Sequence, residues 1–365
     1  MCTRDIIILS SMKKKERKKN QKPEARRVWK LLAALAFIAA LSFLFVTGVK
    51  VHATWLLARN PGQWNAKQLA KIDHGKTDFK FAVFADTHDS SMAFGRIRKE
   101  VEKGGYLFAI DVGDMAIDAS MIKHRYFINQ VSTMKTPVLT AVGNHDIAAG
   151  GHANYEKVYG PPYYSFTVGR CMFIVLDDAD GKRIDEKQMA WFKEQLKESL
   201  KYPRSFVFMH VPPFRGRRDL KLPMNYFLAD RKNAEAIRQL CMDNRIDVVF
   251  SGHCHTFDYD IWPNDVHYVV TGGGGGRLWD VEEYRGMYHY MKVTVNGDVG
   301  QFELEPINQR NLHFIYQYIE EPWVYIYSYA ASHYWWLGPS LLALCVLLTF
   351  LALHMRRGRR TRLSD

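Results

Sequence analysis

The chain reads as an α/β sandwich domain held between two membrane-spanning helices, and three observations carry that reading. From Phe79 onward, short runs rich in Val, Ile and Phe alternate with stretches of helical period, the pattern of strands buried on both faces with helices between them. A stretch without charge runs from Leu31 to Val49, about 19 positions, and a second from Leu337 to Leu353, each long enough for a bilayer core of roughly 30 Å. Basic residues crowd the outer side of both: Lys13–Lys19 and Arg26-Arg27 before the first, Arg356, Arg357, Arg359 and Arg360 after the second.

In chain order, residues 1–30 form a cationic cytoplasmic tail expected to be without regular structure, with Met12 as an alternative start. Residues 31–49 form the first span. A cleaved signal peptide is its rival, because Val51-His52-Ala53 resembles a cleavage site; the apolar run exceeds a signal peptide's usual length, and Lys50 interrupts it before that site. Residues 50–78 make a connector, its Trp55 and Trp64 either at the membrane interface or in a packed lead-in. The domain is expected over 79–305. Its buried strands are Phe79–Ala85, Tyr106–Val112, Val138–Val142, Cys171–Leu176, Ser205–Met209, Asp247–Phe250 and His267–Val270, and its helices Met92–Lys103, Ala119–Met134, Lys187–Leu200 and Ala234–Met242. Asp185 and Gln188 have capping-box spacing before the third helix. Tyr290–Val295 and Val299–Leu304 flank Asn296-Gly297 as a hairpin. Residues 306–334 form an aromatic connector, 335–355 the second span and 356–365 a basic tail. By the positive-inside rule both termini lie in the cytoplasm and the domain outside it.

The net charge of +12 invites a nucleic-acid reading, but the flanks account for it. Residues 1–30 carry eleven basic and three acidic side chains and residues 354–365 five and one, leaving 34 of each sign between them. A neutral domain lacks the basic balance of a nucleic-acid binder, and no nucleic acid is expected as a partner. The five cysteines have no paired spacing, and no disulfide is expected.

The chemistry gathers just beyond the strands. Asp86-Thr87-His88 follows the first, Gly113-Asp114 the second, and Gly143-Asn144-His145-Asp146 the third; His210 and then Gly252-His253-Cys254-His255 follow two later ones. The i, i+2 spacing of Asp86/His88 and of His253/His255 puts each pair on one side of an extended backbone. Carboxylate with imidazole suits Zn, Fe or Mn rather than Ca.

This ordered set, running from Phe79 to Leu304, resembles the calcineurin-like metallophosphoesterases, whose series is Asp-x-His, Gly-Asp, Gly-Asn-His-Asp/Glu, a lone His and Gly-His-x-His. The resemblance implies a metallophosphoesterase-type β-sandwich flanked by helices and two divalent metal ions. One would be held by Asp86, His88 and His255, the other by Asn144, His210 and His253, with Asp114 bridging. His145 would contact the substrate phosphate and assist the leaving oxygen. Two departures stand out. The family often has a carboxylate three residues after the bridging Asp to orient the catalytic His, where this chain has Ile117, with Asp118 one later. The purple acid phosphatase branch places a ligand Tyr at that position and lacks the first-motif His, so Ile117 and His88 speak against it.

Weaker candidates surround this set. Thr271 and Gly272–Gly276 read as close backbone packing by the site, with a phosphate contact as the alternative. Arg215, Arg217 and Arg218 stand either at a substrate rim or on a solvated face. Cys254 points away from its neighbours and is not counted as a ligand, and His124, His152, His267 and His289 are structural or exposed. The expectation is a membrane-anchored, extracytoplasmic, metal-dependent phosphoesterase acting on a diester or a lipid- or envelope-linked phosphoester. Its rivals are a phosphomonoesterase of soluble substrates and a non-catalytic metal-binding or assembly module.

Overall fold

The computed structural model describes residues 4–59, 62–216, 222, 224–278, 286–297, 299–307 and 312–364. Its chain divides into two compact units, residues 1–55 with 326–365, and residues 56–325.

The larger unit is a sandwich of two sheets. In the first, β1 (Asp78–Phe84), β2 (Phe108–Asp111) and β3 (Val138–Thr140) run parallel, and the hairpin β10 (His289–Asn296)/β11 (Val299–Pro306) pairs antiparallel with β1. The second has the order β4-β5-β6-β7-β9-β8, formed by β4 (Tyr164–Val168), β5 (Cys171–Val175), β6 (Arg204–Phe208), β7 (Val248–Ser251), β8 (Phe257–Trp262) and β9 (Val266–Thr271). Its central strands β5, β6, β7 and β9 are parallel.

Alternation along each strand sorts the core. Phe81 and Val83 of β1 face between the sheets with Phe108, Phe173, Phe206 and Phe250, while Ala82 and Phe84 face the helices on the other side. The Phe81 ring stacks on Phe108 at 5.1 Å and meets Phe206 edge-on at 5.2 Å. Each such fully buried side chain contributes about 1.5–3 kcal/mol of burial free energy. The helices α3 (Ala93–Gly104), α4 (Met121–Val131) and α5 (His152–Tyr159) cover the first sheet, and α6 (Glu186–Ser199) and α7 (Arg231–Asp243) the second. Asp185 caps α6 through the Gln188 amide at 2.7 Å, but the Gln188 side chain turns to the Asp177 backbone instead of closing the capping box.

This unit reaches beyond 79–305 at both ends. The connector before it packs as a lead-in: in the short helix α2 (Trp64–Leu69), Trp64 Nε1 donates to the Val138 carbonyl at 2.7 Å, and Asn65 bonds both backbone groups of Thr140. The aromatic segment after β11 is helical. It comprises α8 (Leu312–Ile315), a π-helical turn over Tyr316–Glu320, and α9 (Glu321–Ser332), and its residues up to Tyr325 belong to the sandwich unit.

The smaller unit contains most of α1 (Arg4–Arg59) and all of α10 (Tyr334–Ser364), both long and apolar enough to cross a bilayer, over Arg27–Ala58 and Tyr334–Arg357. The basic segment before the first apolar stretch is therefore helical from Arg4, contrary to the expectation of an irregular tail. Ala36, Ala39, Val46, Val49 and Ala53, three, four or seven residues apart, form the buried stripe of α1, while Phe37, Ile38, Leu41 and Leu44 are exposed. Lys50 ends this stretch with its Nζ on the Ala331 carbonyl at 3.3 Å.

Candidate metal centre

The polar residues after β1, β2, β3, β6 and β7 converge at the carboxyl ends of these parallel strands, where ligands collect in α/β folds. The backbone that brings them there is not extended. Asp86, His88, Asp114, His253 and His255 all have positive φ, from 43° to 67°, so each i, i+2 pair is aimed by a bend at each of its two members instead of by strand alternation. Such conformations cost about 1–2 kcal/mol each for residues with a Cβ and persist where the surroundings hold them.

Two overlapping clusters result. Ligand atoms of Asp86, His88, Asp114 and His255 lie within 4.8 Å of one another, as do those of Asp114, His210 and His253. Asp114 Oδ2 stands 3.4 Å from His88 Nε2 and 3.2 Å from His210 Nε2, while His255 Nε2 is 3.4 Å from Asp86 Oδ1. Asn144 Oδ1 joins the second group, 3.2 Å from His210 Nε2. His88 Nε2 and Asp114 Oδ2 are buried and have no hydrogen-bond partner. Buried polar atoms normally have one, and two orphans facing a shared point fit a pair of divalent cations.

The surroundings fix which imidazole nitrogen faces inward. His210 Nδ1 lies 2.8 Å from the Val112 carbonyl and His255 Nδ1 2.6 Å from that of Arg277, so each donates there and leaves Nε2 free for a metal. His145, which is in neither cluster, does the same: its Nδ1 is 2.9 Å from the carbonyl of Ile117. The group that orients His145 is therefore a backbone oxygen at the position where a carboxylate was sought, and Asp118 instead accepts from the Ser120 amide at 2.9 Å.

Three carboxylates with no recognised role in the sequence hold the loops. Asp146 accepts from the amides of Asp114 (2.9 Å), Ala116 (3.1 Å) and Gly143 (2.9 Å). Asp178 accepts from His210 (2.8 Å) and Val211 (2.9 Å), and Asp89 from Ile117 (3.0 Å). Glycine is required where these loops touch: a Cβ on Gly143 would lie 2.2 Å from both Asp114 N and Asp114 Oδ1.

The electrostatics suit a cation site. Burial lowers the pKa values of His88 and His255 and brings His253 to about 4, leaving them neutral with lone pairs available. Burial also pushes Asp86 well above the carboxylate range. Against its own burial, Asp114 is held well below that range by His210 and His88, and His210 in turn is raised to about 10, chiefly by Asp114.

A cavity of about 770 Å³ opens over both clusters and is lined also by His145, Arg277, Tyr226, Tyr316, Glu321 and Tyr325. Arg277 supplies the only Lys or Arg side chain among its described lining residues. The glycine run packs closely: the amides of Gly272, Gly274 and Gly276 bond to Thr256, Ala85 and Asp86 carbonyls, which takes these three from any phosphate. Arg215 bonds the Leu222 carbonyl at 2.8 Å and lies over the Phe227 ring, whereas Arg217 and Arg218 lie outside the described residues. Cys254 is buried in the core of the second sheet. His124 and His289 are buried, His267 is half-buried beside Tyr259, and His152 is exposed.

The sequence profile of the calcineurin-like phosphoesterases matches residues 79–257, the stretch carrying all the cluster residues and His145. A probable cyclic nucleotide phosphodiesterase of Xenorhabdus bovienii is 24% identical over 158 residues, 40% of this chain and 59% of that protein. Purple acid phosphatase 23 of Arabidopsis thaliana is 27% identical over 170 residues, 39% of this chain and 35% of that one. The chain thus spans about three fifths of the first relative's length and about a third of the second's. Among solved structures, a purple acid phosphatase from yellow lupin seeds shares the fold with a TM-score of 0.53 at 15% identity, over 64% of this chain and 52% of that one. With the profile match, the two-sheet fold and the convergence of five motif segments on one point, the chain carries a calcineurin-like phosphoesterase domain over residues 79–257.

Proposed function

We propose that this chain is a membrane-anchored, dinuclear-metal phosphoesterase. In this reading Asp86, His88 and His255 hold one divalent ion, Asn144, His210 and His253 hold the second, and Asp114 is shared. The observation that carries it is the Asp114 Oδ2 atom, buried without a hydrogen-bond donor and faced by imidazoles from both sets. Mn, Fe or Zn suits such donors, and a bound pair supplies an activated water and neutralises charge on the phosphoryl oxygens. The chain's own residues do the rest. Asp114 and Asn144 fix the spacing of the two sets, and Arg277 meets a phosphate oxygen from the cavity wall. His145, its Nδ1–H on the Ile117 carbonyl, would take up a solvent proton at Nε2 and hand it to the departing oxygen.

The substrate in this reading is an extracytoplasmic phosphoester, a diester or a lipid- or envelope-linked ester. Two long apolar helices with basic outer flanks support an anchor with both termini in the cytoplasm. The relatives include a phosphodiesterase and a phosphatase, so ester type is a matter for assay. The test is hydrolysis of an aryl phosphate monoester and the matching diester by the detergent-solubilised chain, metal-free and with Mn²⁺, with Asp114→Ala as control. Mn²⁺-dependent turnover lost in the control is expected. Folded chain that binds two Mn²⁺ but cleaves neither ester nor any lipid phosphoester would overturn the reading in favour of a metal-binding module.

A further inference from the structure

The segment between β11 and the second apolar helix carries, among its described residues, no member of either cluster and lies outside the family profile, yet it is tied to the loop that holds one. That loop runs from Asp86 through His88 to the start of α3. At the entry to α3 no side-chain cap is formed at Met92, and the first turn has no acidic residue. The two amides just before α3 are taken by Glu320. Its Oε1 accepts from the Ser91 amide (3.2 Å), the Met92 amide (2.9 Å) and the Ser91 hydroxyl, and its Oε2 from the Ser90 hydroxyl (3.1 Å). A carboxylate here satisfies orphan amides and meets the positive end of the helix dipole.

Two further ties reach the same loop. The Tyr316 hydroxyl donates to the carbonyl of His88 itself at 3.3 Å, and the ring is buried. Buried Lys123 donates to the Val324 carbonyl at 3.1 Å while lying 3.5 Å from Asp89. Tyr316 and Glu320 are the first and last residues of the π-helical turn, a geometry often found at functional sites. Two attachments from one segment, through Tyr316 and Glu320, thus land directly on His88 to Met92, and a third reaches Asp89 through Lys123.

We propose that Leu312–Tyr325 is a strap that sets the position of His88, with Glu320 and Tyr316 as positioning residues for the metal set Asp86/His88/His255. It rests on the reading of those residues as metal ligands. The sequence continues from this strap through α9 into α10.

The test uses the full chain in detergent, stripped with a chelator and titrated with Mn²⁺. Binding is followed by calorimetry and by the electron paramagnetic resonance signal of coupled Mn²⁺ pairs. Glu320→Ala should weaken one of the two sites about tenfold or more and lower the coupled signal, as loss of a supporting outer contact does. Glu320→Gln, whose oxygen still accepts the three bonds made by Oε1, should restore most of the affinity. In a His210→Ala background, where only the first set is complete, Glu320→Ala should still weaken binding; in a His255→Ala background it should not. If Glu320→Ala fails to fold, Tyr316→Phe carries the test, with a severalfold loss at the same site. Wild-type affinity in folded Glu320→Ala or in Tyr316→Phe, or equal weakening of both sites, would overturn the strap. Metal binding is read without turnover, so a wild-type chain that binds two Mn²⁺ and cleaves nothing would defeat the phosphoesterase reading and leave this inference standing.

Discussion

Gly143→Ala is a one-carbon test of whether the site is built as tightly as the structure indicates. The new Cβ would fall 2.2 Å from Asp114 N and from Asp114 Oδ1, and 2.9 Å from Asp114 Cγ, against an ordinary contact of 3.4 Å or more. About 1.2 Å of movement must therefore be found, and neither partner is free to give it. The amides of Asp114 and Gly143 are both clamped at 2.9 Å by one oxygen of Asp146. Overpacking of this kind costs roughly 1–3 kcal/mol, which a folded domain tolerates. A metal site is less forgiving, since ligand distances hold to within about 0.2 Å. Asp114 belongs to both clusters, so displacing it should weaken both ions together, by about a hundredfold. The assay is Mn²⁺ per chain after equilibrium dialysis, with urea unfolding of the metal-free protein beside it. Gly300→Ala is the control, because its Cβ would meet nothing closer than 4.0 Å. Two ions bound at wild-type affinity in Gly143→Ala would refute the argument that backbone crowding places Asp114.

His145→Ala should lower kcat by about a hundredfold or more while leaving two metals bound, since His145 is in neither cluster; loss of metal would show that it is a ligand. Arg277→Gln should raise KM about tenfold with kcat little changed, because the side chain lines the cavity while its backbone carbonyl continues to hold His255; an unchanged KM for a phosphoester would remove it from the substrate contact. His289, between Thr271 Oγ1 and the Met287 carbonyl, is pushed down to about 4 by burial. Above the unfolded value of 6.5 it has no effect on stability. As pH falls from there toward 4 the unfolded chain takes up a proton that the folded one refuses, and up to about 3 kcal/mol is lost. His289→Leu lacks this term, so its stability gap to the wild type should narrow over that window in urea titrations of metal-free protein; a constant gap would mean that His289 titrates normally in the fold.

The Asp/His clusters that could hold metal ions draw on residues the sequence marks out, because ligand chemistry is written in residue type. Asp86, His88, Asp114, Asn144, His210, His253 and His255 announce themselves at five strand ends, and the strands between are marked by runs of Phe, Val and Ile. What holds those ligands is written elsewhere. The orienting partner of His145 is a carbonyl, which every residue possesses, so no search for a carboxylate near Ile117 could find it. Asp146 and Asp178 look like ordinary turn residues until their amide partners are known. The edge strands β4 and β8 were not expected, because Tyr164–Val168 and Phe257–Trp262 mix polar with apolar residues on half-covered edges. Tyr316 and Glu320 lie in the aromatic connector, where tyrosine and tryptophan before an apolar helix look alike whether they face lipid or line a cavity.

The paired ligands carry the deeper point. Their i, i+2 spacing led to the right neighbours through the wrong geometry: alternation along a strand would project Asp86 and His88 in parallel, whereas bends at φ 61° and 45° fold them around one point. A strand end that continued extended would carry its second ligand some 6–7 Å onward, so the two side chains would have to lean together to share an ion. Convergence here uses left-handed backbone at residues that resist it, and something must hold that strain. The structure supplies it on both sides of the bend. Asp86 takes the His253 amide on its carboxylate at 2.9 Å, the His88 amide bonds the Asp114 carbonyl at 3.1 Å, and Tyr316 holds the His88 carbonyl. Each ligand loop is thus pinned by another ligand loop or by the strap. Loosening any one should therefore be felt at a metal site before it is felt in the fold.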